Sequence, residues 1–251
     1  MEIPLFPLHT VLCPGVALPL HVFEERYREL VARCLTTRGP FGVVLIREGQ
    51  EVGPTGGLEL AQVGTLASIR EASRYPDGRY DLLAVGGMRF RLDAVLDDVA
   101  PYLVGRATPL PEETGDPELA ATLVREVTRR VVEYLRLLRP REGEDDAMPD
   151  VGVELEVRED PADSPDEGGP AGVDAGIVRR LVMPDDPATL SYLLLGMVQL
   201  DLARKQQLLE ANTAVDRLGG LGAALEGEIL LLARRLRPFA PDRSLLAVRR
   251  N

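Results

Sequence analysis

Four side chains able to ligate zinc fall within the first 34 residues: His9, Cys13, His21 and Cys34, the only histidines and cysteines of the chain. Their spacing, H-x3-C-x7-H-x12-C, fits no compact metal knuckle. Each lies inside an apolar strand or helix pattern, so core packing accounts for them and no metal site is expected. Lysine chemistry is narrower still. The only lysine, Lys205, lies in "DLARKQQLLE", beside Arg204, Gln206 and Gln207. A phosphate-binding loop needs lysine after glycine-rich backbone, and the sequence contains no G-x-x-x-x-G-K-[ST]. A Ser-Lys dyad needs a desolvated lysine beside a serine, which that setting does not offer. G-x-S-x-G, H-E-x-x-H and G-x-G-x-x-G do not occur either. Glu24 and Glu25 open a helix, where the positive end of the dipole accepts acids for structural reasons. Neither a catalytic constellation nor a cofactor loop is expected.

The elements that would position any other chemistry begin with an uncharged run. From Ile3 to Phe23 the sequence has no Asp, Glu, Lys or Arg. Pro4, Pro7, Pro14 and Pro19 each remove a backbone donor, which rules out a spanning helix, and Glu2 opposes the basic start of a secretory signal. The run therefore predicts two short strands, both at sheet edges, turning at Pro14-Gly15. "FEERYRELVARCLTTRG" has the helical period at Phe23, Tyr27, Leu30, Val31 and Cys34, with Gly39 as its stop. "FGVVLIR" reads as a buried strand. "QVGTLASIREASRY" and "RYDLLAVGGMRFRLDAVL" read as a hairpin around Pro76-Asp77-Gly78, with a bulge or barrel corner at Gly86-Gly87. "YLVGRATPL" closes the strand-rich half.

The second half switches period. Asp116-Pro117 and Asp186-Pro187 are helix starts, and Thr213 with Asp216 resembles a capping box. Leu119, Leu123, Val127, Val131 and Leu135 mark one face of a long helix; Leu218, Leu221, Leu225, Ile229 and Leu232 mark another. Gly219, Gly220, Gly222 and Gly227 weaken the last helix or let a neighbour approach closely. Strands around one helix, followed by helices, give an α+β fold: a small barrel, then a helical bundle.

The formal net charge is −11, and residues 140–172 hold 12 acids against two arginines, so one segment carries nearly all of it. Its five prolines and five glycines predict a flexible, solvated insertion. The alternation in "VGVELEV" is the one sign of a strand there. Arg70, Arg74, Arg79, Arg89 and Arg91 would give the central hairpin a local basic patch. The rest of the chain is near neutral and the insertion repels polyanions, which disfavours nucleic acid. Two cysteines give no disulfide framework, so a reducing cytoplasm is expected.

In order, "IPLFPLHTVLCPGVALPLHVFEERYRELV", "FGVVLI", "VGTLASI", "PDGRYDLLAVGGMRFRL", "PYL" and "DDPATLSYLLLGMVQLDLARKQQLLEANTAVDRLGGLGAALEGEILLL" resemble the N-terminal substrate-recognition domain of Lon proteases. Cys13 departs from the larger apolar residue usual there. The resemblance implies a PUA-like β-barrel over 1–112, a connecting helix over 113–139, the acidic segment over 140–172 and a helical bundle over 173–251. It also implies a stand-alone recognition module without the ATPase and peptidase modules, binding exposed apolar segments of unfolded polypeptides. A protease or an adaptor is the further partner it suggests. The alternatives are a PUA-like RNA-binding protein and a regulator of one folded partner. Phe23, Arg26 and Tyr27 on the first helical turn, with Tyr75 at the hairpin tip, are the candidate binding residues. Phe23 and Tyr27 also fit the core face of their helix. The purified chain is expected to hydrolyse neither ATP nor casein; ATP-dependent casein cleavage that persists through rigorous purification would overturn this.

Overall fold

The computed structural model describes residues 1–50, 57–96, 99–138, 155–156, 181–182, 184–234 and 249–250. Strand β1 (Glu2–Leu8) explains the uncharged run, because it is buried on both faces from Ile3 onward. It pairs in parallel with β3 (Phe41–Glu48) and antiparallel with β7 (Val104–Pro109). The expectation that β1 is a sheet edge is thus corrected: it lies inside the sheet. Its prolines survive there by position. Leu5 N donates to Leu103 O and Ala107 N to Met1 O, so odd-numbered residues address β7 and even-numbered ones address β3. Pro7 faces the β7 side after that ladder has ended, and Pro4 faces β3 before that ladder begins at Leu5. Neither proline interrupts a ladder bond.

A ring closes around β1. β3 pairs with β5 (Val63–Arg74), β5 with the long β6 (Tyr80–Leu96), and β6 returns to β7. β4 (Glu59–Leu60) pairs with β3, and β2 (Ala17–Val22) pairs with the first half of β6. The closure is uneven, because β6 serves β2 with one half and β7 with the other. Phe90 fills the ring's interior with Ile3, Leu5, Val44 and Ala107. Room for it comes from glycines: a Cβ on Gly42 or Gly64 would stand 2.7 Å from Phe90 Cζ. The opposite face of β1 carries Phe6 and Leu8 against α1 (Glu25–Thr37), through Tyr27, Leu30, Val31 and Cys34. This helix stops on Arg38, in the left-handed region at φ 54°, one residue before the expected Gly39.

The expected bulge in β6 is present and has a consequence for packing. Gly86 pairs with Ala67 but Arg89 with Thr65, so β6 holds one extra residue there. Met88 turns out to solvent and Arg89 turns in. This corrects the arginine patch, since Arg89 is 2% exposed.

The helices start where their caps predict. Asp116 accepts from Leu119 N ahead of α2 (Pro117–Leu138), and Asp186 from Thr189 N ahead of α3 (Pro187–Met197). Thr213 accepts from Asp216 N at α5 (Ala214–Ala233). An additional cap, Asp201, starts the short α4 (Leu202–Glu210), which carries Lys205. Leu119 is exposed, against the stripe read for α2; Ala120 takes the buried place. Gly222 lets α2 approach, and Arg130 of α2 donates to its carbonyl at 2.9 Å. Of the acidic segment 140–172, only Leu155–Glu156 (β8) is described; it pairs in parallel with Leu181–Val182 (β9). The flexibility read for the rest of that segment lies outside the described residues.

One carboxylate ties barrel to helices. Arg89 donates to Leu209 O, Ala211 O and Glu112, while the fully buried Arg217 of α5 donates to Ser191 Oγ, Ala211 O and Glu112. Tyr192 donates to the same Glu112 at 2.7 Å, and its ring lies 3.6 Å under the Arg217 guanidinium. Burial lowers the Arg217 pKa from its ordinary value. Removing the anion leaves two desolvated cations, so Glu112→Ala should lose about 3 kcal/mol in urea unfolding. Arg47→Ala, which breaks the Arg47–Glu210 surface pair and leaves Gln206 on Glu210, should lose under about 1 kcal/mol.

Candidate functional site

Strand β2 has one side committed to β6. Gly86 N donates to Val16 O, so even-numbered residues of β2 address β6, and Ala17, Pro19 and His21 address the outer edge. Pro19 therefore spends its missing N–H on that edge, as the sequence suggested for this strand. Side chains alternate to match: Leu20 and Val22 are buried, while Ala17, Pro19 and His21 are not.

His21 organises the surface beside this edge. Its Nδ1 lies 2.6 Å from Asp81 Oδ1, its cross-strand partner on β6. Tyr75 OH donates to the other oxygen, Asp81 Oδ2, at 2.5 Å. Arg79 stands over the Tyr75 ring at 5.5 Å and binds Asp77 at 2.7 Å. The His21 ring packs edge-on toward Tyr75, 6.2 Å between centroids, and stacks toward Phe23 at 6.5 Å. Two of the candidate residues, distant in sequence, thus meet around a histidine read as core. Phe23 is 36% exposed and Tyr75 40%.

The other two candidates are placed differently. Tyr27 is 1% exposed and stacks on Phe6 at 4.2 Å, which removes it from any binding surface. Its position on the apolar stripe of α1, facing β1, is the reason. The Arg26 side chain is 14% exposed, bridged to Glu24 at 2.9 Å and 4.4 Å above the Tyr27 ring. It braces the start of α1. His21 and Asp81 are the residues that sequence reasoning missed. Strand alternation, which puts His21 opposite Leu20 and Val22, was the available signal; for Asp81 there was none, because the β2–β6 pairing is non-local.

No three His, Cys, Asp or Glu side chains group to hold a metal ion among the described residues. Cys13 and Cys34 sit in separate apolar clusters, and burial pushes each thiol up to about 11. A cleft of 760 Å³ between β3 and α4 is lined by His9, Arg47, Arg204 and Glu210, among others. Arg47 and Gln206 already engage Glu210 there, and large aromatic anchors are lacking. No described helix is long and apolar enough to cross a membrane.

The family model of the ATP-dependent protease La (LON) substrate-binding domain matches residues 2–225. The chain belongs to that family. It is 28% identical over 233 residues to the Lon protease of Escherichia coli K12, covering 92% of this chain and 25% of that protein. With Lon protease 1 of Thermus thermophilus it shares 34% over 139 residues, covering 54% of this chain and 17% of that protein. The chain thus spans about a quarter or less of these relatives. Among solved structures, a Lon N-terminal domain protein from Xanthomonas campestris matches with TM-score 0.55 and 25% identity, covering 89% of this chain and 98% of that one. The N-terminal domain of Mycobacterium avium complex Lon protease matches with TM-score 0.56 at 18% identity, covering 90% and 98%. Both support the Lon N-terminal fold, and the family assigns this chain a substrate-recognition role.

The cluster has a pH signature. Hydrogen bonds first from Tyr75 and then from His21 hold the Asp81 pKa below its ordinary value. A depressed carboxyl stabilises above its unfolded pKa of about 3.9 and loses that contribution as pH falls through the folded pKa. Amide exchange at Tyr75, which donates to Arg79 O across the hairpin, should therefore accelerate, relative to buried β1, below about pH 4. Asp81→Asn should already show the faster exchange at neutral pH.

Proposed function

We propose that this protein is a non-catalytic recognition module that binds exposed apolar stretches of unfolded polypeptide along the outer edge of β2. The observation that carries the reading is the juxtaposition of that edge with the exposed rings of Phe23 and Tyr75. An edge strand offers main-chain hydrogen bonds to any extended peptide, and flanking aromatics add apolar contact without demanding a sequence. Family membership supports the direction, since the matched model is that of a substrate-binding domain. The setting of Lys205, beside Arg204, Gln206 and Gln207 on α4, supports a role of this region without ATP hydrolysis or peptide cleavage. In this reading the barrel over 1–112 recognises, the helices from 113 onward brace it, and the module works in the cytoplasm without a cofactor. A protease or adaptor is the natural recipient of what it binds.

RNA binding has less support. Of the five hairpin arginines, Arg89 is buried on Glu112, while Arg79 and Arg91 are bridged to Asp77 and Asp93. Phosphate contact would have to displace those carboxylates.

The test is binding of fluorescently labelled, chemically unfolded casein, followed by anisotropy. A Phe23→Ser, Tyr75→Ala double variant with unchanged thermal unfolding should bind at least about tenfold more weakly than wild type. Equal affinity would move the site elsewhere, and no binding by either protein would remove the function.

A further inference from the structure

The outer edge of β2 is not vacant. A short strand from the far end of the sequence, β10 (Arg249–Arg250), lies against it in parallel, with Arg249 opposite Leu20 and Arg250 opposite His21. This is the half of β2 beside Phe23 and Asp81, where the aromatic cluster stands. Odd-numbered residues of β2 address this side, so the His21 amide faces β10 while Pro19, without an N–H, offers only its carbonyl. What the structure gives for this strand is its backbone pairing with β2.

We propose that β10 is a resident pseudo-ligand, and that the β2 edge takes extended peptides running parallel to β2 in its place. This rests on the polypeptide-recognition reading and names the backbone geometry of what is recognised. A tethered strand acts at an effective concentration on the order of millimolar, so a free peptide at micromolar concentration cannot displace a similar sequence held in cis. Incoming polypeptides must outcompete β10 by adding contacts to Phe23 and Tyr75, which the two-residue strand is too short to exhaust. Weak peptides are thereby rejected and long apolar ones admitted.

The experiment compares the full chain with a variant lacking residues 249–251, both confirmed folded by near-ultraviolet circular dichroism. The probe is a labelled peptide of sequence SLLAVRRN, residues 244–251 of the chain. Loss of the strand should speed exchange of the His21 amide by about tenfold or more, while buried β1 amides stay unchanged. The peptide should bind the shortened protein and not the full chain. Unfolded casein should bind the shortened protein several-fold more tightly than the full chain. Unchanged His21 exchange, or equal peptide binding by both proteins, would overturn the resident strand. Peptide binding with no casein binding to either protein would leave the resident strand standing and sink the polypeptide-recognition reading instead.

Discussion

A single carboxylate, Glu112, sets the relation between the two halves of this protein. It accepts from Arg89 of the barrel, Arg217 of α5 and Tyr192 of α3. Two guanidiniums buried beside one anion are tolerable only because the carbonyls of Leu209 and Ala211 and the Ser191 hydroxyl take the remaining donors. Such a network contributes little net stability over an apolar core, but it accepts one arrangement of its partners and penalises others severely. The chain segment at 209–217 is thereby pinned against β6.

The network exists because of a bulge. One extra residue at Gly87–Met88 reverses the alternation of β6, which sends Met88 outward and Arg89 inward. The same strand then serves two masters, pairing with β2 through its first half and closing the ring on β7 through its second. Closure removes the edges of β1, β3 and β7, and the longest described strand left outside the ring is β2. An available edge is a hazard in most proteins. Here it is blunted by Pro19, covered over two residues by β10, and flanked by the aromatic cluster.

That arrangement separates rigidity from recognition. Phe6 on Tyr27, and Phe90 among its glycines, lock α1 and the ring interior. The surface proposed for recognition is built on top, from a hairpin whose polar contacts around His21 and Asp81 lie at or near solvent. Adjusting the hairpin leaves the packed interior untouched.

Local signals in the sequence were sufficient for local structure. Pro76-Asp77-Gly78 makes its turn with Gly78 at φ 87°, and Asp116, Asp186 and Thr213 cap their helices. The bulge at Gly86-Gly87 and the order of strands, then helices, were legible for the same reason, since each depends on residues a few positions apart. The candidate site was legible only in part. Tyr75 stands exposed at a turn that its neighbours specify, whereas Tyr27 lies on the buried stripe of α1 against Phe6 and Phe23 falls ahead of the helix, outside that stripe. Which proline-marked strand lies at an edge, whether Arg89 faces water or Glu112, and which group meets His21 were decided by pairings between distant segments. A residue's type limits what it can bond to, but in a folded chain its neighbours across the sheet determine what it does bond to.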